Sequence, residues 1–267
     1  MIHELNPSQI TGLNKIPPLD WDFDYESFLR SYLPTDFFKA FILLQDKEIV
    51  GTGNVFYKGK IGWLANIIII KAYRQQGLGA KMTQHLVDYL DKQGCETQLL
   101  IATELGESVY EKIGFRKVTS YQGFYSAQNQ VYKAGTPIKN LEKKDLQSIC
   151  NMDLIANGEC RKHLIERYYE TGFGYFNMEH ELLGYCLPDF GRGLVIAKDE
   201  KAGIELLKLK HSQKGKKTML PIENKLGIEC LTQLDIPKTD RWSRMSLGKS
   251  LSWNPKLIYS YASGYCG

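Results

Sequence analysis

The stretch IIIIKAYRQQGLGAKMTQHLVDYL, Ile67 to Leu90, limits what this chain can fold into more than any other segment. Four consecutive isoleucines, β-branched and apolar, predict a buried strand. Leu78, Met82, Leu86 and Leu90 recur at four-residue spacing and predict an amphipathic helix, with Gly94 as its stop. Between strand and helix lie only a few residues, among them Arg74, Gly77 and Gly79. That order sets the free N–H groups of a helix N-terminus directly after a buried strand. Such a terminus binds anions, because its first-turn donors lack intrahelical partners and the helix dipole favours negative charge. The two glycines let an anion approach the backbone closely.

The spacing discriminates between anions. A dinucleotide loop needs a third glycine where Met82 stands, and no G-x-x-x-x-G-K-[ST] run fits a P-loop. Arg74, Gly77 and Gly79 read R-x-x-G-x-G, which resembles the pyrophosphate loop of the GNAT acetyltransferase superfamily. The segment Leu99 to Val118 follows at the spacing that superfamily uses, reading strand, short helix, strand. Its V-Y-E-K-I-G-F resembles the GNAT segment whose tyrosine lies beside the coenzyme A sulfur, which makes Tyr110 the candidate catalytic residue. A phenol can protonate a leaving thiolate. On a helix starting near Gly106, that glycine and Tyr110 share a face.

The resemblance implies an α/β (α+β) fold, a mixed and mostly antiparallel sheet flanked by helices. It implies acetyl-CoA as co-substrate, held by Ile67, Ile68, Ile69, Arg74, Gln75, Gln76, Gly77, Leu78, Gly79, Ala80 and Thr103. GNAT folds splay two central strands, and the pantetheine arm adds to the exposed edge, here Ile67 to Ile69, as a missing strand would.

At 267 residues the chain has room for one large or two medium domains. A net charge of +4 gives no case for nucleic acid. The densest basic run, Lys208 to Lys217, reads as a solvated helix end and loop. The start MIHELNPSQITG shows neither the n-region nor the h-region of a secretory signal, and no apolar run reaches the length of a membrane helix. The six cysteines form no C-x-x-C pair and the five histidines no ligand spacing. The expectation is a cytoplasmic chain with free thiols, no metal and no membrane partner; its oligomeric state is not legible.

A boundary is expected at Tyr132 to Pro137, giving a catalytic domain over 1–134 and a second over 137–267. In the first, Met1–Leu5, FKAFILLQ, EIVGTGNVFY and Ile61–Ile70 read as strands, with turns at Asp46–Lys47 and Lys58–Gly59 and a helix over Asp24–Leu33. The second repeats the order: KDLQSICNMDLI and ECRKHLIERYYE read as helices, GYFNM and ELLGYC as a hairpin. GRGLVIAKDEKAGIELLKL then mirrors the strand–turn–helix, and TMLPIENKLGIECLTQLDI mirrors the Tyr110 segment. The copy is degenerate. Leu231 falls where Tyr110 would be, and AKDEKAG replaces the glycine loop.

This tandem order resembles bacterial two-domain GNATs of the holothin acyltransferase-like kind. The resemblance rests on IAT-x-x-G-x-x-V-Y-E-K-I-G-F, on D-x-x-A-x-G-x-x-R from Asp153 to Arg161, on Gly184–Tyr185, on Ala197 with Asp199, on R-x-x-R-M-x-x-G from Arg241 to Gly248, and on the tail IYSYASGYCG. In that branch the second domain completes the acceptor pocket, which makes Asp153, Arg161, Tyr185 and Arg244 substrate candidates. Many GNATs carry a glutamate just before the coenzyme strand as general base; Ala65 and Asn66 stand there and neither is a base. Glu104 is the nearest substitute in sequence. The implied activity is direct transfer of an acyl group, acetyl first, from acyl-CoA to a small-molecule amine. A second reading stays open: a coenzyme A-binding module without turnover whose second domain binds a partner.

Overall fold

The apolar periods of the sequence become elements in the expected order. The computed structural model describes residues 1–21, 23–129, 131–132 and 137–266. The chain runs β1 (Ile2–Glu4), α1 (Tyr25–Tyr32), β2 (Phe38–Gln45), β3 (Glu48–Lys58), β4 (Ile61–Ile69), α2 (Leu78–Lys92), β5 (Thr97–Thr103), α3 (Glu104–Ile113) and β6 (Arg116–Tyr125). There follow β7 (Ile138–Asn140), α4 (Leu146–Asn157), α5 (Lys162–Ile165), β8 (Phe173–Phe176), β9 (Leu182–Leu187), β10 (Leu194–Ala197), α6 (Glu200–His211), β11 (Lys217–Pro221), α7 (Lys225–Gln233), β12 (Lys238–Gly248) and β13 (Ile258–Ser260). The architecture is mixed α/β, two sheets flanked by helices.

The chain forms two compact units. The first comprises residues 1–118, 244–250 and 264–266; the second comprises 119–243 and 251–263. The first is not one stretch, because later segments return to it: Lys249 N donates to Glu96 O (2.8 Å), and the Tyr265 ring stacks 4.8 Å from Phe56. The boundary expected at Tyr132–Pro137 falls on 133–136, outside the described residues.

In the first unit β1, β2, β3 and β4 pair antiparallel in order. Asp46 and Lys47 close the β2–β3 hairpin with φ of 50° and 70°, the left-handed pair that matches strand twist. The β3–β4 turn is Gly59–Lys60, one residue later than expected, because Lys58 still pairs with Ile61. α2 lays Met82, Leu86 and Leu90 on one face of the sheet, against Phe41, Val50, Val55 and Leu64. Burying each such side chain is worth about 1.5–3 kcal/mol. Tyr25, Phe28 and Tyr32 of α1 cover the other face, ringed by Phe38 and Phe56. Gly94 ends α2 at φ 78°, and Cys95 N reaches back to Leu90 O (3.0 Å).

In the second unit β7 to β10 and β13 form an antiparallel sheet in the order β13-β10-β9-β8-β7, while β11 pairs antiparallel with residues 121–125 of β6. Leu206 and Leu207 of α6 and Leu231 of α7 pack with Val195 and Leu220. Two expectations are corrected here. ECRKHLIERYYE holds only α5 and a 3-10 turn at Tyr169–Thr171; the run breaks where Tyr168, at φ −131°, stacks its ring 4.8 Å from Phe190. The basic run at the end of α6 is not wholly solvated, since Lys210 and His211 are buried. Lys210 Nζ donates to Gly193 O (2.8 Å) and Ser260 Oγ (2.5 Å), and His211 sits between Ser126 Oγ (2.5 Å) and Thr218 Oγ1 (2.8 Å).

Candidate active site

The end of β4 and the start of α2 are joined by a 3-10 turn, Lys71–Tyr73, and an exposed loop. Gln75 and Gly77 take left-handed φ of 63° and 74°. Gly77 is the N-cap of α2 and provides no side-chain cap, so the N–H groups of the first turn face outward. A Cβ at Gly77 would meet nothing within 4 Å, and one at Gly79 only Ile69 Cγ1 at 4.0 Å. The cradle therefore has the donors and the clearance that a pyrophosphate requires. Arg74 beside it donates from Nε to Ile69 O (2.9 Å), which ties the guanidinium to the end of β4. That bond uses one of the five N–H donors of an arginine.

β4 supplies the second element. Its parallel pairing with β5 covers only Ile61↔Thr97, Gly62↔Gln98 and Trp63↔Leu99. Beyond Trp63 the two strands part, and the edge of β4 from Leu64 to Ile69 lines a wedge that ends at the α2 cradle. On its other side the β3 pairing steps from Thr52↔Ile68 to Asn54↔Ala65, so Gly53 faces both Asn66 and Ile67. This is a β-bulge, with Asn66 at φ 49°.

Tyr110 lies on α3, one turn after Gly106, with its ring over that glycine. Loss of solvation pushes its hydroxyl up to about 12, although the ring keeps a partly exposed edge. Thr103 is the N-cap of α3 and makes no side-chain cap, and Glu104 is exposed in the first turn. Arg244, fully buried, stacks its guanidinium 5.1 Å from the centre of the Trp63 ring, where the wedge closes.

Residues 10–115 match the model of the Acetyltransferase (GNAT) family. Two solved structures resemble the chain over nearly its whole length. One is described as a "Putative Acetyltransferase" from Pyrococcus horikoshii (TM-score 0.84, 18% identity, 100% of this chain and 95% of that one). The other is a GCN5-related N-acetyltransferase from Sphaerobacter thermophilus (TM-score 0.66, 13% identity, 95% and 98%). These findings support the GNAT acetyltransferase family. At such identities the structural likeness speaks for the GNAT fold alone. Among curated proteins the chain is 25% identical over 145 residues to the uncharacterized N-acetyltransferase YitH of Bacillus subtilis strain 168, 52% of this chain and 51% of that protein. It is 32% identical over 65 residues to the [ribosomal protein bS18]-alanine N-acetyltransferase of Escherichia coli K12, 23% of this chain and 44% of that protein. The chain spans about half the length of the curated relatives it matches.

The remaining candidates lie in the second unit of this GNAT fold, and three come together. Arg161 meets Asp153 with two bonds (Nε–Oδ2 2.9 Å, Nη2–Oδ1 2.5 Å), and the Tyr185 hydroxyl donates to Asp153 Oδ1 (2.8 Å). All three are buried to 2% exposure or less, and Asn157 Nδ2 adds a further bond to Asp153 Oδ1 (3.2 Å). Burial and the neighbouring carboxylate hold the Tyr185 phenol well above its usual range. Among the described residues no group of three or more His, Cys, Asp or Glu could hold a metal, and no helix is long and apolar enough to cross a membrane. Reading the sequence alone does not single out Tyr25 or Asn54, and it treats Asn66 only as a missing base. The one available signal is an asparagine inside each of two apolar strand runs, GTGNVFY and LANIII.

Proposed function

We propose that this chain is an acyl-CoA-dependent N-acyltransferase that acetylates the amine of a small molecule by direct attack. The observation that carries the reading is the uncapped N-terminus of α2, placed where the open edge of β4 ends. Acyl-CoA supplies the acyl group as a thioester, already activated for attack. The backbone from Gln75 to Ala80, with Gln76 and Leu78 between the glycines, holds the pyrophosphate, and Arg74 adds positive charge. The edge from Ile67 to Ile69 offers ladder bonds to the amides of the arm, with Thr103 across the wedge. An N–H on that edge polarises the thioester carbonyl. The amine nitrogen bonds to the thioester carbon as the carbon–sulfur bond breaks; Tyr110 donates the proton of its hydroxyl to the departing sulfur, and the proton that the acylated nitrogen releases restores the phenol.

We take residues 1–134 as the catalytic repeat and 137–267 as a degenerate one, the tandem order of the holothin acyltransferase-like branch. The α6 N-terminus supports the degeneracy: Asp199 Oδ1 accepts from Ala202 N (2.8 Å), so a carboxylate of the chain itself occupies the anion position. Arg244 is the acceptor-side candidate, and Asp153, Arg161 and Tyr185 tie α4, the start of α5 and β9 together inside the second unit.

Gly77→Asp tests the reading. It sets a Cβ at a left-handed φ into the cradle, together with a negative charge that repels the pyrophosphate. Calorimetry with acetyl-CoA should show affinity reduced at least a hundredfold, about 3 kcal/mol. Unchanged affinity in a folded variant sinks the coenzyme site.

A further inference from the structure

Thr52, Asn54 and Phe56 of β3 alternate onto the sheet face that carries α1, while Gly53 turns to α2, where a Cβ would meet Met82 Cγ at 2.8 Å. Thr52 is 1% exposed, and its Oγ1 donates to the main-chain oxygen of Asn66 (3.3 Å). Asn66 is the bulge residue of β4 at φ 49°, and neither it nor Ile67 has a register partner of its own on β3. A bulge leaves such a carbonyl out of the ladder, and here a side-chain hydroxyl serves it. The neighbouring Tyr25 hydroxyl gives its own proton to Asn54 Oδ1 (2.9 Å).

One peptide unit joins the Asn66 C=O to the Ile67 N–H. In a planar trans peptide these two groups point in opposite directions, and no peptide bond among the described residues is cis. Holding the oxygen toward β3 therefore turns the Ile67 N–H away from β3, out of the open edge of β4. The ladder gives the same direction independently. Ile70 N donates to Val50 O (2.9 Å), and successive residues of a strand turn their backbone groups to opposite edges. Ile68, opposite Thr52, thus turns to β3, and Ile69 and Ile67 turn to the wedge. On that side Ile69 O is already taken by Arg74 Nε (2.9 Å).

The two outward N–H groups differ in place. That of Ile69 lies at the cradle end of β4, and that of Ile67 lies farther in, toward the apex. An arm anchored by its pyrophosphate at the cradle passes Ile69 first and brings its acyl end toward Ile67. A hydroxyl that donates to a peptide oxygen also strengthens the N–H of the same peptide as a donor, because linked hydrogen bonds polarise one another. We propose that Thr52 is a positioning residue: through Asn66 O its hydroxyl aims and polarises the Ile67 N–H, the donor that meets the thioester oxygen of the bound acyl-CoA. This rests on the acyltransferase reading.

The test reads that oxygen directly and needs no acceptor. Infrared difference spectra of acetyl-CoA with and without ¹³C at the acetyl carbonyl isolate the thioester C=O stretch in the complex. Thr52→Val keeps the branched shape and removes the hydroxyl; Thr52→Ser keeps the hydroxyl. In Thr52→Val the bound C=O stretch should move to higher frequency, because the donor is weakened, while the Kd for acetyl-CoA changes less than twofold. Thr52→Ser should return the stretch to its place in the unsubstituted protein. The ¹⁵N-labelled Ile67 amide gives a second reading. Its proton should move downfield with acetyl-CoA and not with coenzyme A alone, and the movement should shrink in Thr52→Val. An unchanged stretch in Thr52→Val that binds acetyl-CoA normally overturns the proposal, as would follow if the Thr52 proton went to the Tyr25 oxygen. A change that Thr52→Ser does not reverse also overturns it and makes Thr52 a packing residue. Should the unsubstituted protein bind no acetyl-CoA, the acyltransferase reading falls and this proposal with it, so titration tells the two failures apart. If Thr52→Val does not fold, Thr52→Ala removes the same hydroxyl without adding bulk and carries the same test.

Discussion

Gly106 lies under the ring of Tyr110: a methyl group built on it would come within 2.9 Å of Tyr110 Cε2 and 3.5 Å of the hydroxyl oxygen. The contact fixes the direction of the phenol by removing the side chain one turn earlier. Gly106→Ala should raise helix propensity by about 1 kcal/mol, yet it must push the ring aside. On the acyltransferase reading, kcat falls on the order of a hundredfold, the scale of a displaced catalytic group. The melting temperature should hold or rise, because α3 carries the ring on a partly exposed face. A variant with normal kcat would show that the position of Tyr110 is not critical.

Tyr110→Phe separates the hydroxyl from the ring. Expect kcat to drop by roughly 10²-fold with little change in acetyl-CoA affinity. Burial pushes the Tyr110 phenol up to about 12, so it stays protonated through the working range. On the acyltransferase reading, the unsubstituted protein should then show no alkaline fall in kcat from this group below about pH 11. An alkaline limb near pH 10, lost in the phenylalanine variant, would mean the hydroxyl is not desolvated in the working enzyme.

One coenzyme should bind per chain. The α2 N-terminus is uncapped, while Asp199 caps α6 through Ala202 N. Titration calorimetry with coenzyme A should give a stoichiometry near one. Two equal sites would contradict the degenerate second copy.

What could be read from sequence was local. The strand–turn–helix from Ile67, the Asp46–Lys47 hairpin and the stop at Gly94 each depend on residues a few places apart. So does Tyr110 above Gly106. What escaped depends on partners far along the chain. The bulge at Asn66 exists only in the pairing of β4 with β3, and the wedge only in where the β5 pairing stops. Asp153, Arg161 and Tyr185 meet from α4, the residue before α5, and β9, so their spacing in sequence gives no hint of a sealed cluster. Lys210 and His211 look like part of a solvated basic run until the hydroxyls of Ser126 and Ser260 come in from two distant segments and that of Thr218 folds back from the strand that follows the run.

Asp153→Ala should unfold the protein more readily. It removes the carboxylate that Arg161 meets with two bonds and Tyr185 with one, in an interior where all three are nearly inaccessible. Removing one partner of a buried pair costs about 3–5 kcal/mol. Urea unfolding measures this. A folded Asp153→Ala variant with unchanged stability but a raised KM for the acceptor would reverse the assignment and make Asp153 a substrate contact.

Lys210 and His211 predict how stability varies with pH. Burial lowers the Lys210 ammonium to about 7 from an ordinary 10.5, and lowers His211 to about 3 from 6.5. Both groups are charged more readily in the unfolded chain. Between pH 7 and 10.5 the unfolded state therefore holds the extra Lys210 proton, and between pH 3 and 6.5 the extra His211 proton. Stability rises with pH through each window, by about 1.4 kcal/mol per pH unit for each group while it titrates. Opposing groups act only at the alkaline end: the buried Cys186 thiol is raised to about 11 and the Tyr25 and Tyr110 phenols to about 12, which lowers stability above pH 9. Denaturant unfolding at pH 7 and pH 9 should show the higher midpoint at pH 9. Lys210→Met keeps the length of the side chain and removes the charge, so the difference between the two pH values should largely vanish. A slope that persists undiminished in Lys210→Met would mean the ammonium finds enough partners in Gly193 O and Ser260 Oγ to stay charged inside the fold.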